Sequence, residues 1–186
     1  LGYLTIQEAV NSANPGDTLY VRNGTYYENV VLNKTVSLIG EKGNAIINAQ
    51  GVGNVVEINA NNVSISGFTI KNSSEEGNGI YLLDVSGCNV SNNHIISNEF
   101  GVFLWSASNN IFISNNIANN GYGVSLWSSS KNILISNNIT NNTSLGLSLM
   151  ELSNNNIFIE NNIANNSNSG VQFWSSSENT LSSNLI

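Results

Sequence analysis

Apolar and polar residues alternate in short runs along most of this chain. Five of these runs follow a glycine and read IYLL, VFLW, VSLW, LSLM and VQFW. An apolar spacing of two is typical of a half-buried β-strand, and the frequent asparagine, serine and glycine residues oppose a helix. The pattern therefore predicts short strands that are separated by polar corners.

The glycines that open these runs recur at a nearly constant spacing. Gly79, Gly101, Gly123, Gly146 and Gly170 are 22, 22, 23 and 24 residues apart. Each unit continues with a polar corner, a second run such as NIFI, an Asn-rich corner and a third apolar point. These third points are Ile95, Ile117, Ile139, Ile163 and Leu185.

Three short strands in each unit predict one rung of a solenoid, because a single unit cannot bury its own inner face. We therefore expect an all-β, right-handed parallel β-helix of about eight rungs, stacked about 4.8 Å apart. Earlier strands are predicted in TLYV, VSLI, VVEI and VSISGFTI. One domain spans residues 1–186, with a helical cap over 1–17, irregular rungs over 18–78 and regular rungs over 79–186.

The cap is predicted from the segment TIQEAVNSANPGD. Its apolar residues have helical spacing, and Thr5 with Glu8 forms a capping box for a short α-helix near residues 5–13. At the other end the repeat stops mid-rung. Since an open β-helix end leaves backbone groups unpaired, we expect that end to be covered by further chain or by another copy.

Asparagine, with 38 of 186 residues, is concentrated in the corners, often as a doublet. It tolerates left-handed backbone and forms local hydrogen bonds, and stacked amides on successive rungs can bond one another. A structural ladder is predicted at Asn93, Asn115, Asn137 and Asn161, with Ser183 interrupting it on the last rung.

Strand alternation also predicts which side chains face outward. In the run VSLW, Val124 and Leu126 are expected inside, whereas Ser125 is expected outside, where its replacement by alanine would be tolerated. The outer positions contain all three tryptophans. One outer column is Leu83, Trp105, Trp127, Met150 and Trp174, with Tyr81 and Phe103 beside it.

Two interpretations of this aromatic column remain open. The rings could stack on one another and stabilise the solenoid, or they could form a flat apolar strip for sugar rings or a partner surface. The candidate binding residues are Trp105, Trp127, Trp174, Tyr81 and Phe103. Trp127 and Trp174 are two rungs apart, about 9.5 Å, which is near a disaccharide repeat.

The segment TIQEAVNSANPGDTLYVRNGTYYENVVLNKTVSLIGEKG resembles the opening of pectin-lyase-like right-handed β-helix proteins. The rungs with NNI, NN and YGVSLW resemble the repeats of the NosD-like group, also called the carbohydrate-binding and sugar-hydrolase (CASH) group, which is abundant in archaeal surface proteins. The resemblance covers essentially the whole chain and implies the fold. It does not imply one activity, because this fold hosts lyases, hydrolases, epimerases, adhesins and structural proteins.

The net charge of −7 and the five cations exclude a basic nucleic-acid surface. No apolar run approaches the length of a membrane span, so membrane insertion is not expected. Catalytic residues are not predicted, because the acids do not cluster; Asp17 lies in a turn, Asp84 at a corner, and Glu151, Glu160 and Glu178 in different columns.

No metal and no cofactor are predicted. The resemblance to NosD-like proteins raises copper, but copper would need several soft ligands, and the chain offers Met150, His94 and Cys88 at unrelated points. Cys88 is expected to be a small buried apolar residue.

The chain contains about as many N-glycosylation sequons as its composition produces by chance. The candidate sites are Asn23, Asn33, Asn62, Asn72, Asn89, Asn138, Asn141, Asn142 and Asn165.

Three function classes follow. The first is a non-enzymatic, extracellular or cell-surface β-solenoid with a structural, self-assembling or adhesive role. The second is a carbohydrate-binding module that uses the tryptophan column. The third is a fragment of a polysaccharide lyase, hydrolase or epimerase with its active site elsewhere; we expect no glycan cleavage by residues 1–186 alone.

Overall fold

The structure, a computed structural model, describes residues 2–41 and 44–186. In chain order, its elements are α1 (Ile6–Ser12), β1 (Thr18–Val21), β2 (Gly24–Tyr26), β3 (Val30–Leu32), β4 (Ser37–Gly40), β5 (Ala45–Asn48), β6 (Val56–Ile58), β7 (Ser64–Ser66), β8 (Phe68–Lys71), β9 (Asn78–Leu83), β10 (Asn89–Ser91), β11 (His94–Ile96), β12 (Phe100–Trp105), β13 (Ile111–Ile113), β14 (Asn116–Ala118), β15 (Tyr122–Trp127), β16 (Ile133–Ile135), β17 (Asn138–Thr140), β18 (Leu145–Met150), β19 (Ile157–Ile159), β20 (Ser169–Phe173) and β21 (Thr180–Ser182).

These strands form three parallel sheets that wind into one β-helix. Sheet 1 contains eight strands (β1, β4, β7, β10, β13, β16, β19 and β21), sheet 2 contains six (β2, β5, β8, β11, β14 and β17), and sheet 3 contains seven (β3, β6, β9, β12, β15, β18 and β20). In sheet 2, isolated bridges at Asn162 continue the stack towards Asn138 and Leu185. The result is seven full turns and the start of an eighth.

Alternation within each strand sends one set of side chains into a continuous apolar core. Val124 and Leu126 of β15 are buried there, as the sequence predicts. Their register partners on the preceding rung, Val102 and Leu104, are buried as well. Stacking rung on rung therefore buries an inner face that no single rung could cover.

Three asparagine ladders, rather than one, run through the buried corners. The predicted ladder of Asn93, Asn115, Asn137 and Asn161 is present, and each of these side chains is buried. A second ladder contains Asn98, Asn120, Asn142 and Asn166. A third contains Asn110, Asn132, Asn156 and Asn179.

Each ladder asparagine satisfies backbone groups as well as its neighbour's amide. Asn132 Oδ1 accepts hydrogen bonds from the backbone N and Nδ2 of Asn110, at 2.9 and 3.1 Å. Its Nδ2 donates to Ala107 O at 2.9 Å and to Asn156 Oδ1 at 3.1 Å. The ladders therefore hydrogen-bond polar groups at the buried corners, where strand pairing is interrupted.

The residue before each ladder asparagine has a left-handed backbone. Ser114, Ser136 and Glu160 precede the first ladder with φ of 55°, 53° and 53°, and Lys131 precedes Asn132 with φ of 58°. This first position is filled by several residue types, whereas the second needs an amide. In a doublet such as Asn109-Asn110 the first asparagine has the left-handed backbone and the second is the ladder residue. In Asn115-Asn116 the first asparagine is the ladder residue, and Ser114 before it has the left-handed backbone.

The predicted interruption at Ser183 is wrong by one residue. Asn184 Oδ1 accepts hydrogen bonds from the backbone N and Nδ2 of Asn161, at 2.8 and 3.0 Å, so the ladder continues. Ser183 occupies the left-handed position with φ of 57°. Leu185 correspondingly pairs with Asn162 rather than with Ile163, because this rung is one residue longer than assumed.

The recurring glycines are needed where sheet 3 passes close to sheet 2. A Cβ added at Gly101 would lie 2.5 Å from Ile117 Cγ2 and 2.7 Å from Gly123 O. Neither contact is compatible with a side chain, so the glycine column follows from close approach of backbone to core.

Helix α1 covers the N-terminal end of the core, as predicted. The capping box is formed, with the Thr5 hydroxyl accepting from Glu8 N and the Glu8 carboxylate accepting from Thr5 N. Ile6 and Val10 are buried in the core of the β-helix. The short helix thus derives its stability from packing on the first rung rather than from its own length.

Charged side chains of the first rung hold both ends of α1. The Glu28 carboxylate accepts hydrogen bonds from the backbone N of Ile6 and Gln7 at 2.8 and 2.9 Å. Lys34 Nζ donates to Asn11 O at 2.6 Å. An acid at the start and a cation at the end match the dipole of the helix.

Candidate functional site

The outer face of sheet 3 carries most of the large aromatic side chains of the regular rungs. Strand register aligns Leu83, Trp105, Trp127 and Met150 in one column. The backbone N of Trp174 donates to Leu149 O at 2.8 Å, which places Trp174 beside Met150. We call this the tryptophan column. A middle column contains Tyr81, Phe103, Ser125, Ser148 and Gln172.

A third outer column was missed by the sequence analysis. Phe100, Tyr122 and Leu145 are the residues directly before the recurring glycines, and they align with one another across the rungs. Simple alternation places them inside, but the backbone departs from regular pairing at the glycine. Large apolar residues immediately before a spaced glycine were the signal for this column. We call the three columns together the aromatic face.

Rings of the aromatic face pack on one another. Trp105 and Trp127 stack with centroids 5.3 Å apart at an interplanar angle of 22°. Phe100 and Tyr122 stack at 4.7 Å and 12°. The side chains remain partly accessible, with Trp105 and Trp174 exposed by 42% and 59%. The stacking supports the stabilising interpretation of the column, and the exposure leaves room for a ligand.

A cleft opens where the middle column changes from aromatic residues to serine. Its volume is about 160 Å³. Ser125 and Ser148 form its floor, and their hydroxyl oxygens are 2.9 Å apart. The walls are Phe100, Phe103, Tyr122, Trp127, Leu145 and Met150.

The prediction for Ser125 needs a correction. Its side chain points outward, but it is only 5% exposed, because it lies at the bottom of the cleft between larger side chains. Its hydroxyl also accepts from Ser148. Ser125→Ala therefore removes a buried hydrogen bond, and the tolerance expected of a solvated position does not apply.

The electrostatic environment of the aromatic face is nearly neutral. Among the described residues that line the cleft, none is acidic or basic. At the edge of the face, burial and the nearby Glu57 carboxylate raise the pKa of the Tyr81 phenol, so this group stays protonated near neutral pH.

Three acids of the chain have defined structural environments. The Asp17 carboxylate accepts from Asn14 N at 2.8 Å, which confirms its place in a turn. Asp84 has φ of 50° at an exposed corner. Glu57 accepts amide hydrogen bonds from Asn54 and Asn59. These contacts assign the acids local roles in the fold.

The residues considered as metal ligands are dispersed. Cys88 is a buried free thiol, and burial raises its pKa, as fits a small apolar residue. His94 lies on the outer face of sheet 2, where its Nδ1 is 2.9 Å from Asn116 Nδ2. Met150 is on sheet 3. Among residues 2–41 and 44–186, no three His, Cys, Asp or Glu side chains group together as a metal site.

The regular rungs match a known protein family. A family model described as "Right handed beta helix region" matches residues 53–186. The chain belongs to the right-handed β-helix family. The fold implied by the resemblance in sequence is thereby confirmed.

Relatives of this β-helix include a surface protein and proteins of other kinds. A "Cell surface glycoprotein" of Methanothermus fervidus is 41% identical over 96 residues, which are 50% of this chain and 16% of that protein. ORF18 of Geobacillus virus E2 has a TM-score of 0.74 at 18% identity, over 85% of this chain and 38% of that one. Pectate lyase Pel9A has a TM-score of 0.72 at 14% identity, over 87% of this chain and 48% of that one.

The matched region spans less than half the length of each of these three proteins. The two solved structures, both under 20% identical, show the common fold alone. The described part of the β-helix contains no helix with the length and hydropathy that crossing a bilayer requires.

Sheet 1 carries a second apolar surface that the sequence analysis overlooked. Two register columns on three consecutive rungs place isoleucine at every outward position. The six residues, here called the isoleucine face, are Ile111, Ile113, Ile133, Ile135, Ile157 and Ile159. The runs IFI, ILI and IFI, with isoleucine on both sides of a buried residue, were the signal.

The candidate glycosylation sites differ in accessibility. Asn142 is buried in the second ladder, where its Nδ2 donates to Asn166 Oδ1 at 2.8 Å, so it is not available in the folded chain. Asn72 and Asn138 are half-buried, and their amides bond other asparagines. The exposed sites are Asn23, Asn33, Asn62, Asn89, Asn141 and Asn165.

Proposed function

We propose that this β-helix acts outside the cell or at its surface, in a structural or adhesive role rather than as a catalyst. The observation that carries the proposal is the relative at 41% identity that is a cell surface glycoprotein. The placement of the acids supports the non-catalytic part, because inverting glycan hydrolysis needs two carboxyl groups about 6.5–9.5 Å apart. Asp17 lies in a turn and Asp84 at an exposed corner, whereas Glu28 caps the start of α1.

The architecture suits a surface element. Three sheets bind the rungs to their neighbours, and asparagine ladders bind the regular rungs in addition, so the stack is a stiff rod. The outer surface relies on neutral polar residues, with 9% charged residues in the chain. Such a surface changes little with salt or pH, because few charges are present to be screened or titrated.

Location is the direct test of this proposal. Immunogold electron microscopy of the native source, combined with fractionation of the cell envelope, should place the protein on the outer surface, in a regular layer or sheath. An intracellular distribution, with the envelope fraction empty, would contradict the proposal.

Self-association is the structural role that we propose for the isoleucine face, with a second copy of the chain as the occupant. The face is flat, uncharged and three rungs long, and a twofold axis would pair it with itself. Its small size gives a weak contact between two copies. Repetition over a surface layer would multiply such contacts.

Replacement of Ile113 and Ile135 together by lysine is expected to reduce self-association at least severalfold, because two charges enter the apolar contact. Sedimentation velocity over a concentration series measures the change. The matched control is Ser66→Lys with Ser91→Lys, two positions in the same register column outside the isoleucine face. Equal association by both variants and the unmodified chain would refute this role.

Carbohydrate binding by the aromatic face is a second candidate function. The specific observation is the exposure of Trp105 and Trp174 on a face whose cleft is free of charge. Flat rings with accessible surface pack against the apolar faces of sugars, while a polar edge stays in water.

A further inference from the structure

We propose that the cleft above Ser125 and Ser148 is a subsite for one neutral sugar ring of a glycan chain. The proposal rests on the second candidate function, binding of carbohydrate by the aromatic face. It adds the location of the site, the class of ligand and the serine hydroxyls that would bind the ligand.

The floor of the cleft has one more hydrogen-bond donor than it uses. Two serine hydroxyls have two hydrogens, and the structure shows one hydrogen bond, from Ser148 Oγ to Ser125 Oγ. Both side chains are buried, at 3% and 5% exposure, beneath the cleft. One hydroxyl hydrogen therefore lacks an acceptor among the described residues. A buried donor without an acceptor is unfavourable. A ligand oxygen in the cleft would accept it.

The walls of the cleft are apolar and aromatic. Aromatic rings from Tyr122 and Trp127 stand on opposite sides of the serine floor, in the two outer columns. A sugar ring presents C–H groups on its faces and hydroxyls on its rim, so it matches apolar walls above a hydroxyl floor. A purely apolar ligand would leave the serine hydrogen unmatched.

The lining of the cleft disfavours charged ligands. No acidic or basic residue is among those lining the cleft in the described chain. A uronate or phosphate would lose its hydration against aromatic walls without gaining an ionic partner, which is strongly unfavourable. The ligand is therefore a neutral sugar, and not the acidic substrate of a pectate lyase.

Size limits the cleft to one ring. Its 160 Å³ lies below the roughly 300–1,000 Å³ of pockets that enclose drug-sized ligands. The neighbouring tryptophans extend the apolar surface along the solenoid axis, since Trp105 stacks on Trp127 one rung away. A bound chain would run along the axis, with one ring in the cleft and adjacent rings over the tryptophan column.

The test uses cellohexaose, mannohexaose and chitohexaose as neutral probes and hexagalacturonate as the acidic probe. Titration is followed by tryptophan fluorescence, because Trp127 lines the cleft, and by calorimetry. Ser148→Phe fills the cleft and should weaken binding of the preferred neutral probe by at least about tenfold. The double variant Ser125→Ala with Ser148→Ala keeps the space, and should weaken binding about three- to tenfold through the lost hydrogen bond.

The matched control is Ser91→Phe, the same substitution at an outward position of sheet 1. It should leave binding unchanged, and thermal unfolding should show that all variants fold. If Ser148→Phe does not fold, the double alanine variant decides the proposal by itself.

Four results would overturn the proposal. Neutral binding that survives the cleft variants but is lost in Trp105→Ala with Trp174→Ala would leave the aromatic face as a binding surface without this subsite. Absence of binding to every probe, neutral or acidic, would remove the carbohydrate function as well. Binding of hexagalacturonate instead of the neutral probes would keep that function but refute a neutral ligand for this cleft. A change in self-association on filling the cleft, without a change in glycan binding, would assign the cleft to a second copy of the chain.

Discussion

Replacing Asn132 by alanine should lower the free energy of unfolding by about 2–6 kcal/mol. The side chain lies in the middle of the third ladder and is fully buried. Its loss leaves Asn110 N–H and Ala107 C=O without their side-chain partner, and each such buried group costs about 1–3 kcal/mol. Chemical denaturation monitored by circular dichroism measures the effect.

The adjacent residue provides the control. Lys131 is exposed and has φ of 58°, so Lys131→Gly keeps the backbone conformation and removes no ladder contact. Its effect should stay within about 1 kcal/mol, since glycine adopts left-handed backbone without steric strain. Comparable losses of unfolding free energy at the two positions would show that the ladder amides do not stabilise the corner.

Leu126→Ala is expected to lower the free energy of unfolding by about 2–5 kcal/mol, because it opens a cavity in a fully buried layer of the core. Leu126 packs between register partners on both neighbouring rungs, Leu104 and Leu149, so the gap cannot close without moving three rungs. Thermal or chemical denaturation provides the measurement.

Leu83→Ala is the matched outer substitution. Leu83 is exposed on the tryptophan column, so its replacement removes little buried surface and should cost no more than about 1 kcal/mol. A larger loss at Leu83 than at Leu126 would mean that inner and outer positions of sheet 3 have been exchanged, which a one-residue shift in register produces.

The regular half of the β-helix could be predicted because two independent periods agree there. A spacing of two within runs and of 22–24 residues between glycines together define the strands and the rungs. In the earlier rungs the second period is lost. Strands β2, β3 and β5 were not predicted for this reason, whereas β1, β4 and β6 were identified by their apolar runs.

The ladders show where the sequence was insufficient. A doublet such as Asn115-Asn116 or Asn141-Asn142 contains one buried ladder amide and one more accessible side chain, which is half-buried at Asn116 and exposed at Asn141. Spacing alone does not say which member of the doublet is buried. The distinction depends on the left-handed residue that precedes the buried one, as at Ser114 and Asn141. Ser183 was misplaced because the final rung is one residue longer than the first regular ones.

The aromatic face was predicted only in part for a related reason. Alternation identifies the tryptophan column, since its strands are regular there. It fails at Phe100 and Tyr122, where the glycine that follows lets the backbone turn the ring outward. The cleft forms because the aromatic rings around Ser125 project farther from the sheet than the serine does. That difference depends on how the side chains pack in three dimensions, so alternation along the chain does not predict it.

The ladders also bear on how a protein of this kind changes over evolutionary time. Each ladder asparagine contacts the rung before it and the rung after it, and none farther away. A duplicated unit of 22 residues would bring its own amides and meet the same partners at both of its boundaries. Gene duplication and loss can therefore lengthen or shorten the rod by whole rungs while every corner remains hydrogen-bonded, and length becomes the trait that selection can adjust most freely.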